Sequence, residues 1–332
     1  MVAIIRVSEH SKSFLRAWTP AILRPDYCWP RPIQAKLSTT TPPTPPVTRP
    51  AIRRFWGLVH RLLAWFSRMY VVWFDEKPGF WGYQDHIYHL PFGLLLKWSE
   101  HASIEEAVAT QMVRAAGMPA PKVLCYGEHP NNNSRFSILM TRLPGHDLQN
   151  HREPFNPDEE GPWMDELKRC LDAMRSWKSP FGDSRICSPI GTAIRTIRVP
   201  RHVMGPFETE AELHDYLLSA SSDHTHNSRA EYEADQALAR KIYDMPHRVV
   251  FTQGDFKAHN IRISEDAHLT GFIDWESAGW CPEYWEFTTS MRWGFGTWWY
   301  QVTNFLGGHQ YLEELKCDKA LNSLTVDSYA FD

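Results

Sequence analysis

In the stretch AIRRFWGLVHRLLAWFSRMYVVWF, residues 51–74, apolar positions recur at helical spacing. Phe55, Leu58, Val59, Leu62, Phe66 and Met69 share one face, and Arg54, Arg61 and Arg68 share another. The pattern predicts an amphipathic helix packed on the body of the protein through its apolar face. A helix lying in a membrane interface is the less favoured alternative. Arg61 and Arg68 interrupt the run before it reaches the roughly 18 apolar residues of a membrane span.

From Gly79 the period shortens. GFWGYQDHIYHLPFGLLLKW reads as two β-runs, the second ending at Leu94-Leu95-Leu96-Lys97. SIEEAVATQMVRAAG, residues 103–117, returns to helical spacing. Ser103 and Glu106 form a capping-box pattern at its start, and Gly117 closes it. KVLCYGE and RFSILMTRLPG then bracket the turn-rich HPNNNS. The order strand, Lys-bearing strand, helix, strand, strand is that of a small five-stranded nucleotide lobe.

The second half is mainly helical. In residues 163–177, Met164, Leu167, Leu171, Met174 and Trp177 form an apolar stripe. Residues 208–220 and 229–244 also read as helices. The run VVFTQGD and the hairpin NIRIS…LTGFID interrupt them, and an aromatic-rich helical region begins near Tyr284. The expected fold class is α+β with two lobes: a small, mainly antiparallel β lobe with one helix, and a larger helical lobe. This divides the chain into an extension (1–50), the amphipathic helix (51–74), a nucleotide lobe (75–145) and a helical lobe (146–332).

Composition changes the picture at the N-terminus. Through residue 55 the only acids are Glu9 and Asp26, against nine Lys and Arg. Residues 1–50 end in the proline-rich STTTPPTPPVTRP, which favours extended backbone and builds no core. A disordered extension and an organelle transit sequence both fit. A cytoplasmic location is expected, with a mitochondrial one as the alternative. The net charge of −4 leaves the rest of the chain acidic, which speaks against a nucleic-acid partner and suits a cationic ligand. The six cysteines are scattered without metal-ligand spacing, so neither a structural zinc nor a disulfide framework is expected.

The chemistry concentrates in FTQGDFKAHNIRISEDAHLTGFIDW, residues 251–275. Phosphoryl transfer needs an anchor for nucleotide phosphates, Mg²⁺ on hard oxygen ligands, and a carboxylate that orients the acceptor hydroxyl. Asp255 and Asn260 have the aspartate-to-asparagine spacing of a kinase catalytic loop. Asp274, directly after Gly271-Phe272-Ile273, stands where a second metal ligand would. Upstream, Lys97 ends an apolar strand and Glu106 lies on the next helix, so the two can form the Lys–Glu pair that orients phosphates. A serine-hydrolase elbow and a dinucleotide fingerprint are both missing from the sequence.

These pieces, together with EEAVATQMVRAAGMPAPKVLCYGE, SILMTRLPGHDL and TGFIDWESAGWCPEYWEF, resemble the aminoglycoside phosphotransferase family, in particular the group common in fungi. The resemblance covers about residues 79–300 and implies a protein kinase-like fold. It implies that Asp255 is the catalytic base, that Asn260 and Asp274 hold Mg²⁺, and that Lys97 and Glu106 bind ATP phosphates. Met140, Thr141 and Leu143 would then flank adenine. The chain departs from the family at three places. Gln253 replaces a histidine, Arg262 replaces an apolar residue on the adenine floor, and the phosphate loop has only Gly79, Gly82 and Gly93. The implied activity is ATP-dependent phosphorylation of a hydroxyl on a small, amine-bearing acceptor, with Glu276, Glu283, Glu286 and Trp280 as candidate acceptor contacts. Of the aromatics there, Trp275, Trp280, Tyr284, Trp285 and Trp293, most of the tryptophans are expected in the core. The rival reading is a pseudokinase-like nucleotide-binding or scaffold protein. Whether Arg262 leaves room for ATP separates the two.

Overall fold

The apolar runs around Lys97 pair into an antiparallel sheet in the order β1-β2-β4-β3, formed by β1 (Ile87–Leu90), β2 (Leu94–Ser99), β3 (Val123–Glu128) and β4 (Phe136–Thr141). This is a computed structural model, and it describes residues 18–74, 86–132, 135–148, 155–199, 202–224, 226–292 and 294–325. Among them the small sheet has four strands rather than the expected five. Gly79 and Gly82 of the expected phosphate loop lie outside the described residues, as does Trp293. Lys97 sits on β2 between Ile87 of β1 and Ile138 of β4.

Side chains alternate across a sheet, so each face needs its own cover. One face takes helix α2 (Ile104–Ala115), with Ala107, Val123, Tyr126 and Ile138 between them. The Ser103 hydroxyl caps α2 by accepting the Glu106 amide at 3.1 Å, one half of the expected capping box; the Glu106 carboxylate turns to Lys97 instead of returning to Ser103. The other face takes helix α1 (Pro50–Phe74), packed through Ala64 onto Leu90, Leu96 and Leu139.

The orientation of α1 overturns the expectation from its pattern. The buried residues are Gly57, His60, Ala64, Ser67 and Tyr70, and the large apolar side chains face outward. Close packing explains this choice. A Cβ on Gly127 of β3 would come within 2.7 Å of the Gly57 nitrogen, so the two backbones approach as only glycines permit. Polar groups on this face find partners in the sheet. Ser67 donates to the His89 carbonyl at 2.6 Å, and His60 Nδ1 lies 2.6 Å from the Ser137 hydroxyl. No helix among the described residues is long and apolar enough to cross a membrane.

Residues 18–49 also depart from expectation, because they run along the body rather than away from it. Extended backbone leaves its N–H and C=O groups unpaired, and here the body satisfies them. Trp29 N donates to Arg142 O (2.8 Å) and Gln34 N to Gly117 O (3.1 Å). Trp177 Nε1 donates to Ser38 O at 2.9 Å. Residues 1–17 lie outside the described residues.

The larger lobe is mainly helical: α3 (Trp163–Arg175), α4 (Glu210–Ser219), α5 (Arg229–Arg240), α6 (Trp285–Met291), α7 (Trp298–Leu306) and α8 (Leu312–Thr325). Short strands lie among them: β5 (His146–Asp147), β6 (Ile194–Arg195), β7 (Val203–Met204), β8 (Val249–Thr252), β9 (Ile261–Ile263), β10 (Leu269–Phe272) and β11 (Gly279–Pro282). They form three small sheets, β10-β9-β5, β11-β8 and β6-β7. The core joins the predicted α3 stripe to Phe251, Phe272, Trp275, Trp280 and Trp285. The result is a two-lobed, kinase-like α+β architecture. The β9–β10 hairpin and the loop after β8 face the Lys97 side of the small sheet.

Candidate active site

Lys97 is the meeting point of the two lobes. Its ammonium lies 2.9 Å from Glu106 Oε1 on α2, 2.7 Å from Asp274 Oδ1 and 3.1 Å from Glu276 Oε2. Burial alone would pull the Lys97 pKa down. The carboxylates of Asp274, Glu106 and Glu276 outweigh that and hold it well above the usual lysine range. Three carboxylates around one ammonium leave negative charge unmatched. Glu106 registers the excess: burial, with help from Asp274 and Glu276, pushes its pKa up to about 7 against the pull of Lys97. Asp274 is also pushed up by desolvation, but Lys97 prevails and keeps its pKa below the ordinary value. The chain holds Asp274 with φ 58°, a left-handed conformation that aspartate tolerates better than bulkier residues. Carboxylate oxygens of Glu106, Asp274 and Glu276 lie within 4.8 Å of one another.

The loop after β8 is built on Gln253, which is fully buried. Its Nε2 donates to the carbonyls of Ile273 (3.2 Å) and Asp274 (2.5 Å), and its Oε1 accepts the Asp255 amide at 2.9 Å. One side-chain amide thus ties the Asp255 loop to the Asp274 loop, a task that requires both donors and an acceptor. Asn260 is buried and donates through Nδ2 to the Asp255 carbonyl at 2.9 Å. Its own carbonyl accepts the Ile273 amide at 2.9 Å. The Asp255 carboxylate lies 2.7 Å from Lys257 Nζ.

Beneath this loop is an acid expected from the sequence to contact the acceptor, which instead is buried and holds the loop. Glu286, at the start of α6, is fully buried, and its Oε2 accepts the amides of Gln253 (2.7 Å) and Gly254 (3.2 Å). Its Oε1 has no hydrogen-bond partner among the described residues. Burial pushes its pKa up to about 7, although both amides favour the charged form. With the folded pKa above the unfolded one, the stability that Glu286 contributes is full below pH ~4.5 and is lost as pH rises through about 7. Glu286→Gln keeps an acceptor for the amides but cannot ionise. Between pH 5 and pH 8 the native protein should therefore lose more unfolding free energy than the variant, by up to ~3 kcal/mol. Urea melts of both proteins at the two pH values measure this, and parallel losses would refute it.

Residues 95–312, about two thirds of the chain, match the phosphotransferase enzyme family (APH). The chain belongs to that family. It is a small-molecule phosphotransferase with an alcohol group as acceptor. No curated protein matches it. Solved structures that resemble it include the aminoglycoside phosphotransferase APH(4)-Ia in a ternary complex with ADP and hygromycin B, at 16% identity and a TM-score of 0.49 over 72% of this chain and 82% of that one. Another is an aminoglycoside-3'-phosphotransferase of type VIII, at 15% identity and 0.43, covering 75% and 91%. A third is APH(3'')-Id from Streptomyces rimosus, at 14% identity and 0.44, covering 72% and 88%.

In this phosphotransferase the segment joining the lobes follows β4. Thr141 N donates to Lys122 O at 3.0 Å, and its hydroxyl accepts the Lys122 amide at 2.8 Å. Met140 is half-buried and packs beside Val123 and Ile138. Leu143 is buried against β10, where a Cβ on Gly271 would come within 3.2 Å of both Leu143 and Arg262. The Arg262 guanidinium is engaged by that same segment. Nη1 pairs with Asp147 at 2.5 Å, Nε donates to Pro144 O at 3.4 Å, and Nη2 donates to Gly145 O.

The candidate acceptor residues separate. Glu276 joins the Lys97 cluster instead, with Arg195 Nε at 3.7 Å from its other oxygen. Glu283 pairs with Arg248 at 2.8 Å, on the far end of β11 from that cluster. Trp280 is corrected as an acceptor contact: it is fully buried in the core, as expected of most of these tryptophans, and packed edge-on against Phe251. Sequence spacing gave no sign that Glu276 would reach Lys97. For Glu286, the signal available was a single acid within the apolar run Tyr284-Trp285-Glu286-Phe287.

Proposed function

We propose that this phosphotransferase transfers the γ-phosphoryl group of ATP to a hydroxyl of a small, amine-bearing acceptor. The observation that carries the reading is the Lys97 ammonium held among Glu106, Asp274 and Glu276 at the lobe junction, next to the Asp255 loop. Asp255 takes the proton from the acceptor hydroxyl as its oxygen bonds to the γ-phosphorus and the bond to the bridging β–γ oxygen breaks, releasing ADP. Lys97, oriented by Glu106, binds phosphate oxygens. Met140, Thr141 and Leu143 line the adenine edge, and Arg262, clamped to Asp147, closes the floor through its aliphatic stem.

The donor types suit Mg²⁺: a carboxylate oxygen from Asp274 and the side-chain amide oxygen of Asn260, whose Nδ2 is engaged by the Asp255 carbonyl, beside a cluster of three carboxylates around one ammonium. Once bound, Mg²⁺ neutralises charge on the phosphate oxygens. The same acidity favours a cationic acceptor. The rival pseudokinase reading loses its main support, because Arg262 spends its guanidinium on Asp147, Gly145 and Pro144.

Two measurements test this function. ATP with Mg²⁺ should raise the unfolding temperature by several degrees, as a ligand at about a hundred times its Kd does. A panel of amine-bearing alcohols should then contain acceptors that stimulate ADP release. A shift without any acceptor-dependent ADP release would favour the binding-protein reading, and no shift at millimolar nucleotide would remove the ATP site.

A further inference from the structure

Helix α1 covers the small lobe with its small and polar residues and turns its large apolar ones to solvent. Phe55, Leu58, Leu62, Trp65, Met69 and Trp73 are all exposed, Leu62 by 68% and Trp65 by 63%. At 3.6 residues per turn they fall on one strip, which runs roughly 27 Å along the helix. Soluble monomers rarely leave so large a contiguous apolar surface in water, so the strip calls for an occupant.

Two observations on the same helix say what that occupant is. First, α1 contains no Asp or Glu. Arg54, Arg61 and Arg68, seven residues apart, form a single exposed row along one border of the strip. Among the described residues none of the three is ion-paired; the helix's one ion pair there is Arg53 with Glu128. Second, Arg61 and Arg68 line a cleft of about 290 Å³ together with Trp65, His86, Tyr88 and Asn132. The Arg68 guanidinium lies 5.9 Å from the Tyr88 ring centroid. No carboxylate lines this cleft among the described residues. Arginine forks match phosphate oxygens, and tryptophan prefers the boundary between headgroups and acyl chains. A second copy of this chain would bring the same uncompensated arginines to the contact, where like charges oppose association.

We infer that α1 is a membrane-surface helix. Its apolar strip beds into the boundary of an anionic bilayer while Arg54, Arg61 and Arg68 bind headgroup phosphates, one of them seated in the Arg61–Arg68 cleft. Lys97 and α2 lie on the opposite face of the small sheet from α1, so docking leaves the phosphotransfer site facing away from the lipid.

Sedimentation of the full-length protein with vesicles tests the inference. Vesicles of phosphatidylcholine with phosphatidylserine should bind it, phosphatidylcholine alone should not, and added salt should release it. Arg54→Gln, Arg61→Gln and Arg68→Gln together should weaken binding about a hundredfold, at about fivefold per arginine near an anionic surface. Leu62→Ser with Trp65→Ser should abolish binding while leaving the unfolding temperature unchanged, because both side chains already face water. Three results would overturn the inference. They are no binding to the anionic vesicles, equal binding by the triple arginine variant, and a concentration-dependent dimer that the Leu62→Ser, Trp65→Ser variant abolishes in place of vesicle binding.

Discussion

Asp255→Asn is expected to lower phosphoryl transfer about 10²–10⁴-fold while leaving the Mg²⁺-dependent stabilisation by ATP intact. The substitution is nearly isosteric, and the bonds that shape the loop do not use the Asp255 carboxylate. Its amide is held by Gln253 Oε1 at 2.9 Å, and its carbonyl accepts Asn260 Nδ2 at 2.9 Å. What disappears is the proton acceptor and its contact with Lys257 Nζ at 2.7 Å. An amide cannot take the proton of an attacking hydroxyl, so the loss should appear in turnover rather than in nucleotide affinity. Turnover equal to that of the native protein would remove Asp255 as the base. Loss of the thermal shift as well would mean that the carboxylate supports the loop itself.

The parts of this site that the sequence reveals are those fixed by short-range geometry. Asp255 and Asn260 lie in one loop, so their spacing alone brings them together. Lys97 and Glu106 are joined by a strand end and a capped helix start, where Ser103 caps as its pattern predicts while the Glu106 carboxylate leaves the capping box for Lys97. What remained hidden is set by tertiary approach. Glu276 reaches Lys97 across 179 residues of chain, and Glu286 reaches the Gln253 amide across 33. No local pattern encodes either meeting. Whether Arg262 lines the nucleotide site or blocks it stayed open in the sequence because its partner Asp147 lies 115 residues away, on a strand of two residues. The outward apolar face of α1 has a similar cause. Hydrophobic periodicity shows that a helix has two faces, but the choice of the inner one fell to the close approach of Gly57 and Gly127 and to the polar partners of His60 and Ser67. The proline-rich tract reads as coreless, and its own pairing is confined to the Ser38 hydroxyl on Thr40 among the described residues. Its order comes from hydrogen bonds to the body, which composition does not register.

Asp274→Ala should abolish the Mg²⁺-dependent part of the ATP shift and lower transfer by about a thousandfold or more, the scale at which transition-state charge loses its stabilising partner. Two further effects of the substitution need separating from that loss. Asp274 has φ 58°, where alanine is strained by about 1–2 kcal/mol, so some stability falls for a purely backbone reason. Asp274→Asn controls for this, since asparagine tolerates the same conformation and the Gln253 contact is to the Asp274 carbonyl. Charge works the other way. Removing one of three carboxylates relieves the crowding that pushes Glu106 up, while Lys97 keeps Glu106 at 2.9 Å and Glu276 at 3.1 Å. Without nucleotide, the asparagine variant should therefore unfold within about 1 kcal/mol of the native protein, yet gain much less than the native protein from adding Mg²⁺ to ATP, because its amide oxygen carries no charge. If both variants kept the full Mg²⁺-dependent shift, the metal would have to sit on Glu106 and Glu276, the remaining carboxylates within 4.8 Å, and Asp274 would be only a partner of Lys97.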